Sequence, residues 1–241
     1  IQTDTELQHQ VERLWKLDEI PGNDQVMLSI SDKKALSVWE NSITKVGVRY
    51  QMDIPFKDRT TNLPDNKHVA LSRLTSLQRR LGKDKKLKER YHHAVLDLID
   101  KGYAEPVPND QLTRNDGRVW YLPHHPVLNP KKPDKMRIVV DCSSKCKNTS
   151  LNDAIHQGPD LTNQLIGVLL RFRQERVAIM ADIESMFQRV IVTPNDRDVL
   201  RFLWCLEENA EPSMLRMTTH LFGGVWSPSC ANFALKRTAQ D

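Results

Sequence analysis

Apolar positions recur at helical spacing through the first hundred residues and at strand spacing after them. Leu7, Val11, Leu14 and Trp15 fall on one face of a predicted helix, and Pro21-Gly22 breaks it. Ser31 is placed to cap a second helix that carries Leu36 and Trp39 and stops before Gly47. A short strand over residues 48–54 follows. Leu71, Leu74, Leu77 and Leu81 mark a third helix ended by Gly82. Asp84 can cap a fourth, with Leu87, Tyr91, Val95 and Leu98 inward and Gly102 past its end.

From about residue 103 the pattern changes. Residues 103–107, 119–122, 126–129 and 136–141 read as short strands punctuated by Pro, Gly and Asp. Pro130-Lys-Lys-Pro-Asp134 between the last two reads as a hairpin loop. A helix over 161–175 precedes an apolar run from Val177, predicted to be a buried strand that stops on Asp182. Strands over 190–193, 200–206 and 215–219 lead to a final helix beginning near Ala231. Helices mixed with antiparallel strands predict an α+β fold. The change of pattern divides the chain into a mainly helical segment, 1–102, and a strand-rich segment, 103–241.

Composition narrows the class. With 241 residues the chain can bury the core of one large domain or two small ones. It is 39% hydrophobic and 27% charged with a mean hydropathy of -0.54, which excludes wholesale disorder. A net charge of +4 and a pI near 8.8 are compatible with a polyanionic partner. The basic residues cluster. Arg79-Arg80, Lys83, Lys85-Lys86 and Lys88 form one run, read as a solvated helix–loop–helix face; Lys131-Lys132, Lys135 and Arg137 form another. Four cysteines are too few for a disulfide scaffold, and Cys142-x3-Cys146 lacks a second pair at zinc-finger spacing. The compartment is expected to be reducing. No apolar run reaches the roughly 20 residues of a membrane span. Ile1 in place of Met, and a last helical pattern without a stop signal, predict a chain cut from a longer protein.

Asp182 is the first candidate for chemistry. A carboxylate closing an apolar strand is costly unless it is exposed, paired or metal-bound. Taken alone it has two readings: a strand-end Asp accepting turn N–H groups, or a ligand of Mg²⁺, whose preferred donors are hard oxygens.

Ala181-Asp-Ile-Glu-Ser-Met-Phe-Gln-Arg-Val190 resembles the first palm motif of reverse transcriptases. Tyr121-Leu-Pro-His-His-Pro-Val-Leu128, Lys135-Met-Arg-Ile-Val-Val-Asp141 and Ser150-Leu-Asn-Asp153 are similar to that family's fingers blocks. Phe222-Gly-x-x-x-Ser227-Pro228 is similar to its next palm block. Tyr-Leu-Pro-His-His-Pro, Leu170-Arg-Phe-Arg173 and Asp196-Arg-Asp198 before Leu203-Trp204 resemble the Bel/Pao group of long-terminal-repeat retrotransposons. Leu14-Trp15 and Leu77-Gln-Arg-Arg-Leu81 resemble the segment before the polymerase in those polyproteins. The likeness covers essentially the whole chain.

The resemblance implies the fingers and partial palm of a right-hand polymerase, with an incomplete antiparallel palm sheet behind a helical front. It implies an RNA- or DNA-templated DNA polymerase in which Asp182 and the Ile183 carbonyl bind Mg²⁺, two ions in the intact enzyme. Phe187 would exclude a 2′-hydroxyl, and Arg137 and Lys132 or Lys131 would contact the triphosphate. Phe222 and Gly223 would border the nucleotide pocket. Ser227 and Pro228 would open a template-facing helix, Ser227 as its cap. The implied partners are an RNA template, a DNA primer, a dNTP and the remaining Pol polyprotein (thumb, ribonuclease H, integrase), in a cytoplasmic retroelement particle.

Three departures qualify this. The Tyr-x-Asp-Asp motif with the remaining metal carboxylate is absent, and Asp196 and Asp198, read as an exposed turn after Pro194-Asn195, do not replace it. Met186 stands before the aromatic where many reverse transcriptases have a small residue. Thumb, ribonuclease H, protease and integrase sequences are missing. The isolated chain is therefore expected to be inactive; the alternative is a retroelement-derived nucleic-acid-binding module without catalysis.

Overall fold

The computed structural model describes residues 28–241 apart from Pro130, Glu208 and Asn209, and leaves the side chains of Asn129 and residues 132–135 undescribed. The helix predicted around Leu7–Trp15 and the break at Pro21-Gly22 lie outside the described residues.

Helix α1 spans Ile30–Ser42. Its cap is Ser29 rather than Ser31: Asp32 N donates to Ser29 Oγ at 3.1 Å, and Ser29 N donates to Asp32 Oδ2 at 3.2 Å. Ser31 instead faces His156, with Oγ 2.7 Å from Nδ1. Strands β1 (Thr44–Val46) and β2 (Arg49–Met52) form a hairpin, so Gly47, at φ +60°, serves the turn and not the helix end. Helix α2 (Lys67–Leu81) buries Ala70, Leu74, Leu77 and Leu81, leaving Leu71 outside. Helix α3 (Lys85–Asp100) is capped by Asp84 through Leu87 N at 3.0 Å and buries Tyr91 and Val95. Its end is a Schellman turn: Gly102, φ +66°, donates to Ile99 O and Tyr103 N to Leu98 O.

Strand β3 is Ala104–Pro106. Residues 119–122 form no strand beyond one parallel bridge, Tyr121 to Arg201. Asn66 substitutes for a neighbouring strand there: Tyr121 N donates to Asn66 Oδ1 at 2.8 Å, and Asn66 Nδ2 donates to Tyr121 O at 2.7 Å. Strands β4 (His124–Asn129) and β5 (Lys132–Val140) make the expected hairpin, with Val127 opposite Arg137 and Asn129 opposite Lys132. Helix α4 (Leu165–Phe172) is shorter than expected. Then come β6 (Ile191–Val192), β7 (Arg201–Trp204), β8 (Ser213–Met217) and α5 (Ser227–Gln240).

Three small sheets result among the described residues: β1–β2–β6, β3–β8–β7 and the β4–β5 hairpin, antiparallel except for the parallel pair β2–β6. One core cluster runs from Ala35 to Ala234, with Trp39, Trp120 and Trp226 fully buried in it. The architecture is α+β, and among the described residues no helix is long and apolar enough to cross a membrane.

Two expectations fail for physical reasons. The run from Val177 to Asp182 forms no strand and is exposed: Val177 is 78% and Ile179 86% accessible. An apolar run becomes a buried strand only when a partner supplies ladder bonds and a facing layer, and none of the described strands pairs with it. Conversely, Asp196 and Asp198 do not sit on an exposed turn. They are fully buried in a 3₁₀ helix, Pro194–Leu200, where neighbouring Arg201 and arginines from distant segments meet them. Asp196 lies 3.0 Å from both Arg59 Nη1 and Arg118 Nη2. Asp198 lies 2.7 Å from Arg114 Nη1, 2.9 Å from Arg201 Nε and 3.0 Å from Arg216 Nη1. Buried carboxylates persist where they are paired in this way.

Candidate functional site

Four of the residues singled out by sequence converge from three segments. Phe187 lies on a 3₁₀ turn, Met186–Arg189, entered through Ser185 in the left-handed region at φ +55°. Phe222 stands in the loop between β8 and α5. Their ring centroids are 4.5 Å apart at 54°. Arg137 reaches in from β5, with its guanidinium carbon 5.8 Å from the Phe222 centroid. Gly223, at φ +110°, presses its backbone on the end of β5, where a Cβ would fall 2.1 Å from Val140 O. Only glycine permits that approach.

The loop is held from both sides. Asn152 Nδ2 donates to Gly223 O at 3.3 Å, and Asn152 Oδ1 accepts from Val225 N at 3.1 Å. The sequence reading assigned Asn152 no role, although it lies in the Ser150-Leu-Asn-Asp153 block. Behind the loop, Trp226 Nε1 donates to His220 Nδ1 at 2.8 Å, and His220 Nε2 lies 3.5 Å from Cys230 Sγ. Burial pushes His220 down to about 3 and the Cys230 thiol well above its usual value, so both groups are neutral structural members rather than a nucleophile–base pair.

Asp182 and Ile183 lie outside any helix or strand, and both are exposed. Mg²⁺ demands near-octahedral oxygen ligation, and among the described residues no three His, Cys, Asp or Glu side chains come together. Asp182 can supply one of the one or two carboxylates that Mg²⁺ takes alongside water and substrate phosphates. Lys132 opens β5, but its side chain lies outside the description; Lys131 is exposed. Ser227 is the first residue of α5 and not its cap, which is Trp226. Ser227 is fully buried, with Oγ finding no hydrogen-bond partner among the described residues, and so presents nothing to a template; Pro228 beside it is exposed.

What fold and site define is an α+β domain with a half-open aromatic pair, a guanidinium beside it and a glycine-tightened loop. Chemically, such a surface can stack a planar or sugar ring and neutralise an anion. No family model and no curated protein matches the chain. Among solved structures, it is similar to a foamy viral protease–reverse transcriptase in complex with double-stranded DNA, at 17% identity and a TM-score of 0.42, over 60% of this chain and 21% of that one. It is similar also to the native Prototype Foamy Virus protease–reverse transcriptase, at 16% identity and a TM-score of 0.46, over 97% of this chain and 24% of that one. The chain thus spans less than a quarter of the length of either protein.

Proposed function

We propose that the chain is the fingers and first part of the palm of a retroelement reverse transcriptase of the Bel/Pao type, with a helical front over 1–102 and polymerase sequence over 103–241. The observation that carries this reading is the convergence of Phe187, Phe222, Gly223 and Arg137 at one place, as the motif resemblance requires of a nucleotide pocket. Phe187 and Phe222 would hold the sugar and base of an incoming dNTP, Phe187 rejecting a 2′-hydroxyl by steric conflict. Arg137 would neutralise the triphosphate, where a guanidinium fork matches phosphate oxygens. Asp182 and the Ile183 carbonyl would contribute to a magnesium site only together with carboxylates that these residues do not supply. These 241 residues would bind nucleotide and nucleic acid without extending a primer. The intact protein would work on template and primer together with the rest of a Pol polyprotein, in an intracellular particle.

A second reading, a retroelement-derived binding module without catalysis, is favoured by the lack of a His, Cys, Asp or Glu cluster among the described residues. Titrating the purified chain with a fluorescent dNTP and its ribonucleotide counterpart tests the pocket. The expected result is dNTP binding that prefers deoxyribose and weakens about tenfold or more in Arg137→Ala, the loss of one charge-assisted contact. Binding that ignores both the 2′-hydroxyl and Arg137 sinks the nucleotide pocket and leaves the module. Magnesium-dependent primer extension by the chain alone, abolished in Asp182→Ala, would overturn the claim that it is inactive.

A further inference from the structure

The proposed nucleotide pocket adjoins a basic stripe on α2 to which the motif resemblance gives no role. Gly223 touches the carbonyl of Val140, and the next residue, Asp141, lies 3.6 Å from Arg73 Nη2 on α2. At 100° per residue, Arg73, Ser76 and Arg80 fall on one flank of this helix. The opposite flank is anchored: Gln78 Nε2 donates to Cys205 Sγ at 3.1 Å, and Lys67 Nζ lies 6.0 Å from the Tyr121 ring. The apolar face, Ala70, Leu74, Leu77 and Leu81, is buried. The charged residues that α2 carries are all positive. Arg73 and Arg80 lie about 10 Å apart along the axis, both exposed, and the stripe runs on through exposed Lys83, Lys85 and Lys86 at the α2–α3 corner.

Of the acids along this edge, Asp84 is spent on capping α3 and Asp141 pairs with Arg73. In the Arg73–Asp141 pair the guanidinium is 57% accessible and the carboxylate 26%, so the exposed side of Arg73 can be shared with a phosphate. A helix flank of two arginines, with the Ser76 hydroxyl between them donating to Ser72 O at 3.1 Å, leads from a nucleotide pocket to a lysine corner and matches a sugar–phosphate backbone better than an isolated anion. It fits an accessible single strand rather than a base-reading mode, because none of these groups is set to read base edges.

We propose that Arg73, Ser76, Arg80 and Lys83 form a track for the backbone of a single nucleic-acid strand running between the Phe187–Phe222 pocket and the α2–α3 corner. This rests on the nucleotide-pocket reading given above. The track is independent of sequence and strongly salt-dependent, because each phosphate neutralised releases condensed counterions.

The test is fluorescence anisotropy of the 241-residue chain with labelled oligo-dT and oligo-U across a salt series. The triple variant Arg73→Ala, Arg80→Ala, Lys83→Ala is expected to flatten the plot of log affinity against log salt by about 2, roughly 0.7 for each lost contact to a single strand. A control, Arg171→Ala, Arg173→Ala, Arg176→Ala, removes the same charge from the α4 segment and is expected to leave the slope nearly unchanged. Arg80→Glu alone should weaken binding further than Arg80→Ala, and circular dichroism confirms that each variant folds. Equal flattening by the control overturns the track in favour of a net-charge effect, and equal affinity for heparin overturns it in favour of a general polyanion surface. Strand binding unaffected by the triple variant removes the track while dNTP binding keeps the pocket. Loss of dNTP binding with the slope change intact removes the pocket and keeps the strand surface.

Discussion

Phe187 and Phe222, from segments on either side of β6, β7 and β8, pack ring to ring with centroids 4.5 Å apart. The contact ties the turn that follows Asp182 to the loop that precedes α5. Because Gly223 is seated on Val140 O, it also ties that loop to β5 and Arg137. The aromatic pair is therefore a structural wall before it is a ligand contact, and its energy is measurable in the free protein. A double-mutant cycle on Phe187→Ala and Phe222→Ala in urea unfolding should give a coupling of about 1 kcal/mol, as for other tilted aromatic pairs. Additive effects would mean that the two rings do not meet in solution.

Gly223 supports a sharper expectation. A methyl group there meets a backbone carbonyl at 2.1 Å, with φ at +110°, so neither neighbour nor backbone can yield cheaply. Gly223→Ala should cost about 2 kcal/mol or more and weaken nucleotide binding by displacing Phe222. Gly224→Ala is a useful comparison, since its conflict is with the Trp226 ring and not with backbone. Thermal melts and dNTP titration of both variants check this; a Gly223→Ala protein with unchanged melting and binding would remove the close approach.

The buried aspartates should respond differently to neutralisation. Burial by itself would raise the Asp198 carboxyl, but the bonds from Arg114 and Arg201 and the Arg201 charge outweigh it and hold the group below its ordinary value. Burial dominates at Asp196 and holds it above the ordinary value, against the pull of Arg59 and of Ile54 N–H. A depressed carboxyl stabilises the fold above its unfolded value, and that stability is lost as pH falls through the folded one. A raised carboxyl acts in the opposite sense, its burden easing as pH falls. Asp198→Asn should therefore cost about 3 kcal/mol at neutral pH, leaving buried guanidinium groups short of a partner. Asp196→Asn should cost about 1 kcal/mol. Urea midpoints from neutral to acid pH decide it: Asp198→Asn should flatten the acid-side loss of stability, and equal costs at both sites would contradict the assignment.

How far this was legible in the sequence depends on which neighbours a pattern needs. Helices α2 and α3, with Gly82, Asp84 and Gly102 at their ends, follow from local signals alone, because caps and turns are satisfied within a few residues. The β4–β5 hairpin is likewise local. The motif residues Phe187, Phe222, Gly223 and Arg137 were readable only as a set, and the structure joins them. The arginines around Asp196 and Asp198 were not readable, since Arg59, Arg114 and Arg118 come from segments without any pattern of their own. Asn66 escaped for the same reason: an Asn before a helix reads as a cap, and nothing local says that it pairs with the backbone of Tyr121.

Asn66 accordingly makes a prediction of its own. Its side chain is 1% exposed and serves both backbone groups of Tyr121, as a neighbouring strand would. Asn66→Ala orphans a buried N–H and a buried C=O, at roughly 1–3 kcal/mol each, and the expected loss is about 3 kcal/mol. Asn66→Asp keeps the acceptor but loses the donor and adds a buried charge, so it should be no better. The midpoint of urea unfolding should fall in both variants with an unchanged slope. A neutral effect would mean that water replaces the amide there.

The apolar face around α4 separates what a sequence demands from what its neighbours supply. Leu165 and Leu170 on the helix are 70% and 67% exposed, and Val177, Ile179 and Met180 beyond it are exposed as well. Exposed apolar surface this contiguous marks an association surface or an aggregation hazard. If these side chains lie in water, replacing them with charge removes no packing. Leu170→Glu with Ile179→Lys should then change unfolding stability by less than about 0.5 kcal/mol, while lowering binding of an apolar dye and concentration-dependent light scattering. If the pair instead costs about 2 kcal/mol or more, as burial of two large side chains would, the segment is packed in solution and the apolar run has found the partner that a strand ending on Asp182 requires.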